Sequence, residues 1–274
     1  MKEYELVIEA GKSHQRYLKD LWVYRELFLF LAWRDILIRY KQTIIGVAWS
    51  VIRPLLTMLV FTIVFGRIAK LPSGGVPYPV LVYCAMLPWQ FFANTVSEGG
   101  NSLINNSTLV SKVYFPRIVI PSTAMIVSLI DFLISFVILG ALMLWYQFIP
   151  SWKIVFIPAF LGLACITALG VVYWISALNV KYRDFRYVIP FMIQFGLYIS
   201  PVGFSSSVIP EKWRLFFSLN PMVGVIDGFR WMIIGNESSI YTSGFLLSLG
   251  LSILLFFSGF WFFRRVEREF ADFI

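Results

Sequence analysis

The chain has 274 residues, of which 59% are hydrophobic and only 14% charged, and its mean hydropathy is +0.77. A water-soluble domain presents mostly polar residues, so lipid is the expected solvent; about six apolar stretches of roughly 20 residues each leave no room for a sizeable soluble domain. The net charge of +8 follows membrane topology, as the loops below indicate, and does not point to nucleic acid.

Residues 1–21 are polar and mixed in charge, and predict a cytoplasmic tail with one or two helical turns. Met1–Lys41 has charges scattered throughout and no apolar core followed by a small-residue cleavage site, so the first span is expected to act as its own targeting signal. The nearest approach to a phosphate-binding loop is Gly11-Lys12-Ser13, but the pattern needs a glycine where Leu6 stands. An ATPase driving this chain is therefore expected on a separate polypeptide. His14 is the lone histidine and lacks partners for a metal site or for histidine-based chemistry. Within 22–41 the uninterrupted apolar run, Leu27–Trp33, is too short to span. Arg25 and Glu26 precede it, and Arg34, Asp35, Arg39 and Lys41 follow. An interfacial helix is predicted, although its charges do not fall on one clean face at 100° per residue.

Span 1 is expected over 44–66 and carries Arg53-Pro54. Arg53 lies about 14 Å into the span at helical rise. It either snorkels to the inner headgroups or meets an anionic group such as a lipid phosphate. Pro72, Gly74, Gly75, Pro77 and Pro79 mark an outer loop. Span 2, 79–104, turns polar at its inner end with Asn94, Ser97, Glu98, Asn101 and Ser102, and an inner connector follows over 105–118. Span 3, 119–147, includes Asp131, which must face a polar interior, pair or stay protonated. A tight outer turn, span 4 (153–178), a second inner connector (179–187) and span 5 (188–203) come next. Over 204–240, Pro210 and Asn220-Pro221 break the chain into pieces of roughly 211–219 and 222–234. Both are too short to span, so a re-entrant hairpin in the outer leaflet is predicted. Span 6, 241–263, is stopped on the inside by Arg264, Arg265 and Arg268. Lysine and arginine then number 16 on the side that holds both termini and 6 on the other, which sets both termini in the cytoplasm. Cys84 and Cys165 fall in apolar runs and read as packing residues.

Aromatic residues make up 18% of the chain. Sugar C–H faces stack on aromatic rings while hydroxyls find amide and hydroxyl partners. Candidate pathway residues are Tyr83, Trp89, Phe92, Asn94, Glu98 and Asn101 in span 2, with Tyr198 in span 5 and Phe204 just beyond it. Trp213, Phe217, Phe229 and Trp231 gather in the hairpin. For each ring the alternative is lipid-facing bulk or an interface anchor.

Several short motifs occur in a telling order: Arg39-Tyr40-Lys41-Gln42-Thr43, then Gly46 and Trp49; Pro54-Leu55-Leu56; Val64-Phe65-Gly66; Leu87-Pro88-Trp89; Lys112-Val113-Tyr114-Phe115-Pro116-Arg117; Lys181-Tyr182-Arg183-Asp184; and Leu219-Asn220-Pro221-Met222. Together they resemble the membrane subunit of ABC-2-type exporters, most closely the polysaccharide-exporting branch, over nearly the whole chain. The resemblance implies an all-α permease of the bacterial inner membrane, with six transmembrane helices (44–263) between an N-terminal region (1–43) and a C-terminal tail (264–274). It implies a homodimer with two ATPase subunits, which would hold ATP and magnesium, this chain binding no cofactor itself. The 105–118 connector, through Lys112, Tyr114, Phe115 and Arg117, would dock on the ATPase, with Arg183 and Asp184 of the second connector. The 204–240 hairpin, with Trp213, Phe217, Asn220, Pro221, Phe229 and Trp231, would be the outer gate. The cargo would be a lipid-linked glycan: an O antigen, favoured here, a capsular polysaccharide or a teichoic acid. Its phosphate would meet Arg39, Lys41 and Arg53 at the inner entrance. Alternatives are an ABC-2 exporter of a small lipid or drug, a proton-coupled carrier using Asp131 and Glu98, and a membrane-embedded transferase.

Overall fold

The computed structural model describes residues 14–41, 44–182, 184–235 and 240–270. The Gly11–Ser13 segment and Arg183 lie outside them. All the regular structure within the described residues is helical. Two helices, α1 (His14–Val23) and α2 (Arg25–Tyr40), precede the long ones. Helix α3 (Ile44–Phe61) widens into π-helical turns over Thr62–Ile68. Helix α4 (Tyr78–Asn105) is followed within the first connector by a short α5 (Ser107–Lys112). Then come α6 (Val119–Trp145), α7 (Ile157–Lys181), α8 (Phe185–Ile199), α9 (Glu211–Phe217), α10 (Pro221–Ile234) and α11 (Thr242–Val266).

Among the described residues, four helical stretches are long and apolar enough to cross a membrane: Ser50–Ile68, Val119–Trp145, Trp152–Lys181 and Thr242–Glu269. Helix α4 is long enough but carries a polar inner half. It tolerates this because it is the hub of the bundle, packed against α6, α7, α8 and α10, with Val80 to Trp89 all buried. Helix α8, with 15 residues, is apolar but shorter. It starts three residues before the expected span and stops at Ile199, because Pro201 disfavours helix at the residue before it.

The core forms two apolar clusters. One joins the first half of α4 to α6, α7 and α10 through Met86, Leu139, Ala168 and Phe229. The other gathers Leu31, Leu103, Val110, Phe115, Tyr173, Ile189, Phe263 and Phe270 around the opposite end of the bundle. Helices α7 and α11 touch through small residues. A Cβ on Gly170 would stand 2.7 Å from the Phe256 backbone nitrogen, and the Thr167 hydroxyl donates to Ser252 Oγ at 2.8 Å. Helices approach this closely in lipid where side chains are small enough to let backbones meet.

Candidate functional site

Helix α2 mixes polar and apolar residues on both of its sides: Leu31 and Ala32 are buried, and Arg25 and Glu26 are exposed. Leu29, Phe30, Trp33 and Ile38 are exposed, while Asp35, Arg39 and Tyr40 turn inward to meet α4 and α6. Arg39 donates to Asp131 Oδ2 at 2.7 Å and stands 4.0 Å from Glu98 Oε1. The Tyr40 hydroxyl donates to Asp131 Oδ1, and Asn94 Nδ2 donates to Oδ2 at 3.3 Å. Burial, and then the bond to Asp131, push the Tyr40 phenol up, so it remains a donor. Arg34 bridges Asp35 at 2.7 Å and Asn106 Oδ1 at 2.9 Å, and Thr123 donates to Asp35 Oδ2 at 3.3 Å. This polar belt answers how Asp131 is accommodated in an apolar helix: it pairs.

The expected entrance triad is not one cluster. Arg39 belongs to the belt, whereas Lys41 is exposed at the end of α2. Arg53 is exposed on α3, with no ion pair among the described residues. Thr57 Oγ1 donates to the Arg53 carbonyl at 2.9 Å.

The candidate pathway residues separate likewise. Asn94 and Glu98 join the belt. Asn101 Oδ1 receives a bond from Asn179 at 3.2 Å, which ties α4 to α7. Phe92 and Phe204 are half-buried and Tyr198 is exposed. Tyr83, Trp89 and Phe229 are buried, with no more than 4% exposed, and offer no ring face to a pathway in this conformation. Their apolar surface is satisfied by packing: Phe229 meets Phe132 edge to face, and Trp89 lies against Gly196 of α8.

In the hairpin, Asn220 caps α10 by accepting from the Met222 amide at 3.0 Å, with Pro221 at the first helical position. Trp213 is exposed beside Phe216, Phe217 rests near Phe204, and Trp231 carries Lys153 over its face at 4.5 Å. Sequence reasoning missed the anchor of this region, Arg230. It is 1% exposed, and it donates to the Phe204 carbonyl at 2.6 Å, to Val202 at 3.0 Å and to Leu81 at 3.4 Å. The Tyr78 hydroxyl donates to the Gly203 carbonyl at 2.7 Å. Three successive carbonyls of a non-helical turn thus each receive a donor, as buried irregular backbone requires. The available signal was a lone arginine inside an apolar helix, three residues after Asp227.

The first connector has an inward and an outward side. Phe115 is 4% exposed and Tyr114 61%, so the first anchors the loop and the second is presented, beside exposed Val113 and Lys112. Arg117 faces inward. Its Nη1 donates to the Glu267 carbonyl at 2.6 Å, and its guanidinium lies over Phe270. The Tyr17 hydroxyl donates to the Glu267 carboxylate at 3.0 Å, with Arg264 over its ring at 4.0 Å. The connector, α1 and the end of α11 therefore form one clasp. Asp184 stands exposed at the start of α8 and makes no capping bond.

Comparison with known proteins agrees with this architecture. The O-antigen export system permease protein RfbA of Myxococcus xanthus is 26% identical over 261 residues, covering 94% of this chain and 98% of that protein. A protein of the same name from Klebsiella pneumoniae is 27% identical over 255 residues, covering 90% and 94%. The profile of the ABC-2 type transporter family matches residues 26–234, from helix α2 to the end of α10. A bundle of apolar helices around a polar inner belt, matched by that profile over most of its length, belongs to the ABC-2 type transporter family.

Proposed function

We propose that this chain is the permease subunit of an exporter that moves a lipid-linked polysaccharide, with O antigen as the cargo, across the cytoplasmic membrane. The observation that carries the reading is the end-to-end similarity to permeases named for O-antigen export. Six crossings are assigned to α3 with its π turns, α4, α6, α7, α8 and α11. Helices α1 and α2 lie at the inner interface, and α9–α10 re-enter the outer leaflet. Both termini are cytoplasmic, in keeping with the positive charge on that side.

Two copies form the conduit, and ATP is hydrolysed on partner subunits that dock at Tyr114 and its neighbours. Closure of the ATPases pushes the connector, the clasp carries the motion into α11 and α1, and the spans part. Lys41 and Arg53, exposed on either side of the α2–α3 junction, draw in the carrier's phosphates. The test is co-purification from the native membrane followed by an ATPase assay with and without lipid-linked glycan. A stoichiometric ATPase whose rate responds to the glycan, and not to free lipid, supports the reading. A partner indifferent to glycan favours a small-lipid or drug exporter, and absence of an ATPase partner overturns ATP-driven export.

A further inference from the structure

A cavity of about 570 Å³ opens between α2, α4 and α6 at the polar belt, within the roughly 300–1,000 Å³ typical of ligand sites. We propose that this cavity is a sugar-recognition subsite, which reads the hydroxyls of the sugars next to the lipid carrier. The inference rests on the polysaccharide-export reading and deepens it.

The chemistry of the walls selects the ligand class. Asp35 and Glu98 supply carboxylate acceptors, Asn106 an amide, and Ser102 and Thr123 hydroxyls. Arg34 and Arg39 also line the cavity, but both are already engaged, by Asp35 and Asn106 in one case and by Asp131 in the other. An incoming phosphate would confront two lining carboxylates, Asp35 and Glu98, with two guanidiniums already paired. A neutral or amino sugar meets no such repulsion. It can donate hydroxyls to the carboxylates and accept from the outer N–H groups of the arginines. Ala124, Val127 and Ile38 provide an apolar patch for a C–H face. The Glu98 side chain is 58% exposed, and its ion pair with Arg39 is long at 4.0 Å, so it remains available as an acceptor. The belt thereby separates two tasks: the exposed cations Lys41 and Arg53 meet the phosphates, and the cavity meets the first sugars.

The experiment uses the permease with its ATPase partner in nanodiscs. Two probes are compared: the native lipid-linked glycan trimmed to its first two sugars, and the same lipid diphosphate with no sugar. Two variants are compared with wild type. Glu98→Ala removes an exposed acceptor, and Ile38→Trp adds bulk at the cavity wall from a position that is 63% exposed. Neither disturbs the buried core. Each is expected to weaken the sugar-bearing probe about tenfold or more, as loss of hydroxyl partners does in polar sites, and to leave the sugar-free probe within about twofold. Equal weakening of both probes would make the cavity an anion site and overturn the proposal, as would unchanged affinities for both. If wild-type ATPase responds to the glycolipid while the variants bind like wild type, only the subsite falls. If wild type does not distinguish the two probes and its ATPase ignores both, the export reading falls with it.

Discussion

Asp131 sits midway along a 27-residue apolar helix, where an uncompensated carboxylate costs several kcal/mol. Its ion pair with Arg39 therefore decides where α2 rests on α6. Asp131→Ala takes from Arg39, whose side chain is 33% exposed, its shortest ion pair and leaves the longer approach to Glu98, so the expected loss is limited to about 1–3 kcal/mol. Asp131→Asn, which keeps an acceptor for Tyr40, should cost less. The double variant Arg39→Leu/Asp131→Leu should recover part of the loss, because neither charge is left alone. Thermal unfolding in detergent reads all of these, and simple additivity of the two single changes would show that the pair does not join the helices. Arg230 presents a similar problem on the other side of the bundle. Lysine cannot fork between the Val202 and Phe204 carbonyls, so Arg230→Lys should be nearly as harmful as Arg230→Met. Each carbonyl left unpaired costs about 1–3 kcal/mol. Hydrogen exchange at the amides of 202–204 should accelerate in both variants; unchanged protection would mean that the turn is held by other contacts.

At the scale of elements, helix limits were legible because the punctuation is strong. Pro77, Asn220-Pro221 and the Arg264-Arg265 stop fall within a few residues of observed ends. The face of α2 was not legible from its charges. Residues 29, 30 and 33 lie within about 100° of one another on a helical wheel and face outward, whereas Asp35 and Arg39 share the inward side with buried Leu31 and Ala32, and Arg25 and Glu26 are exposed. A rule that puts every apolar residue inside and every charge outside does not describe this helix. Helical spacing also could not tell which rings pack inward, because burial depends on neighbouring helices, as where Trp89 lies against Gly196 of α8. At Gly170 the α7–α11 contact depends on size. Gly170→Leu should force the two backbones apart and destabilise by about 1–3 kcal/mol or more, with Gly170→Ala intermediate. A Gly170→Leu protein with wild-type unfolding temperature would contradict the close approach. The connector makes a functional counterpart. Tyr114 is exposed while Arg117 is used internally, so Tyr114→Ala should weaken the hold on the ATPase by about 2 kcal/mol, as an interfacial aromatic does, without unfolding the permease. Export should drop while ATP hydrolysis persists. Wild-type export with both Tyr114 and Arg117 replaced by alanine would remove the connector from the coupling path.

For the whole molecule, the number of crossings depends on α9 and α10. Their 7 and 14 residues reach roughly 10 and 21 Å at 1.5 Å per residue, short of the ~30 Å hydrocarbon core. Neither crosses alone, so the chain should enter and leave this region on one side, and Arg230 should hold the returning helix against α4 and the 202–204 turn. Under the proposed six crossings with cytoplasmic termini, that side is the outer one. Single cysteines in a background lacking Cys84 and Cys165 test this directly. Ser207 and Thr242 flank the hairpin and are exposed, as is Ser111 in the connector. Ser207→Cys and Thr242→Cys should both react with a membrane-impermeant maleimide in intact cells, and Ser111→Cys only after lysis. Reaction at Ser207 and Thr242 from opposite faces would mean that α9–α10 traverse the bilayer, which would place the two termini on different sides. Cytoplasmic reaction at both would invert the bundle, and the connector, with Tyr114 exposed on it, would then face away from any cytoplasmic ATPase.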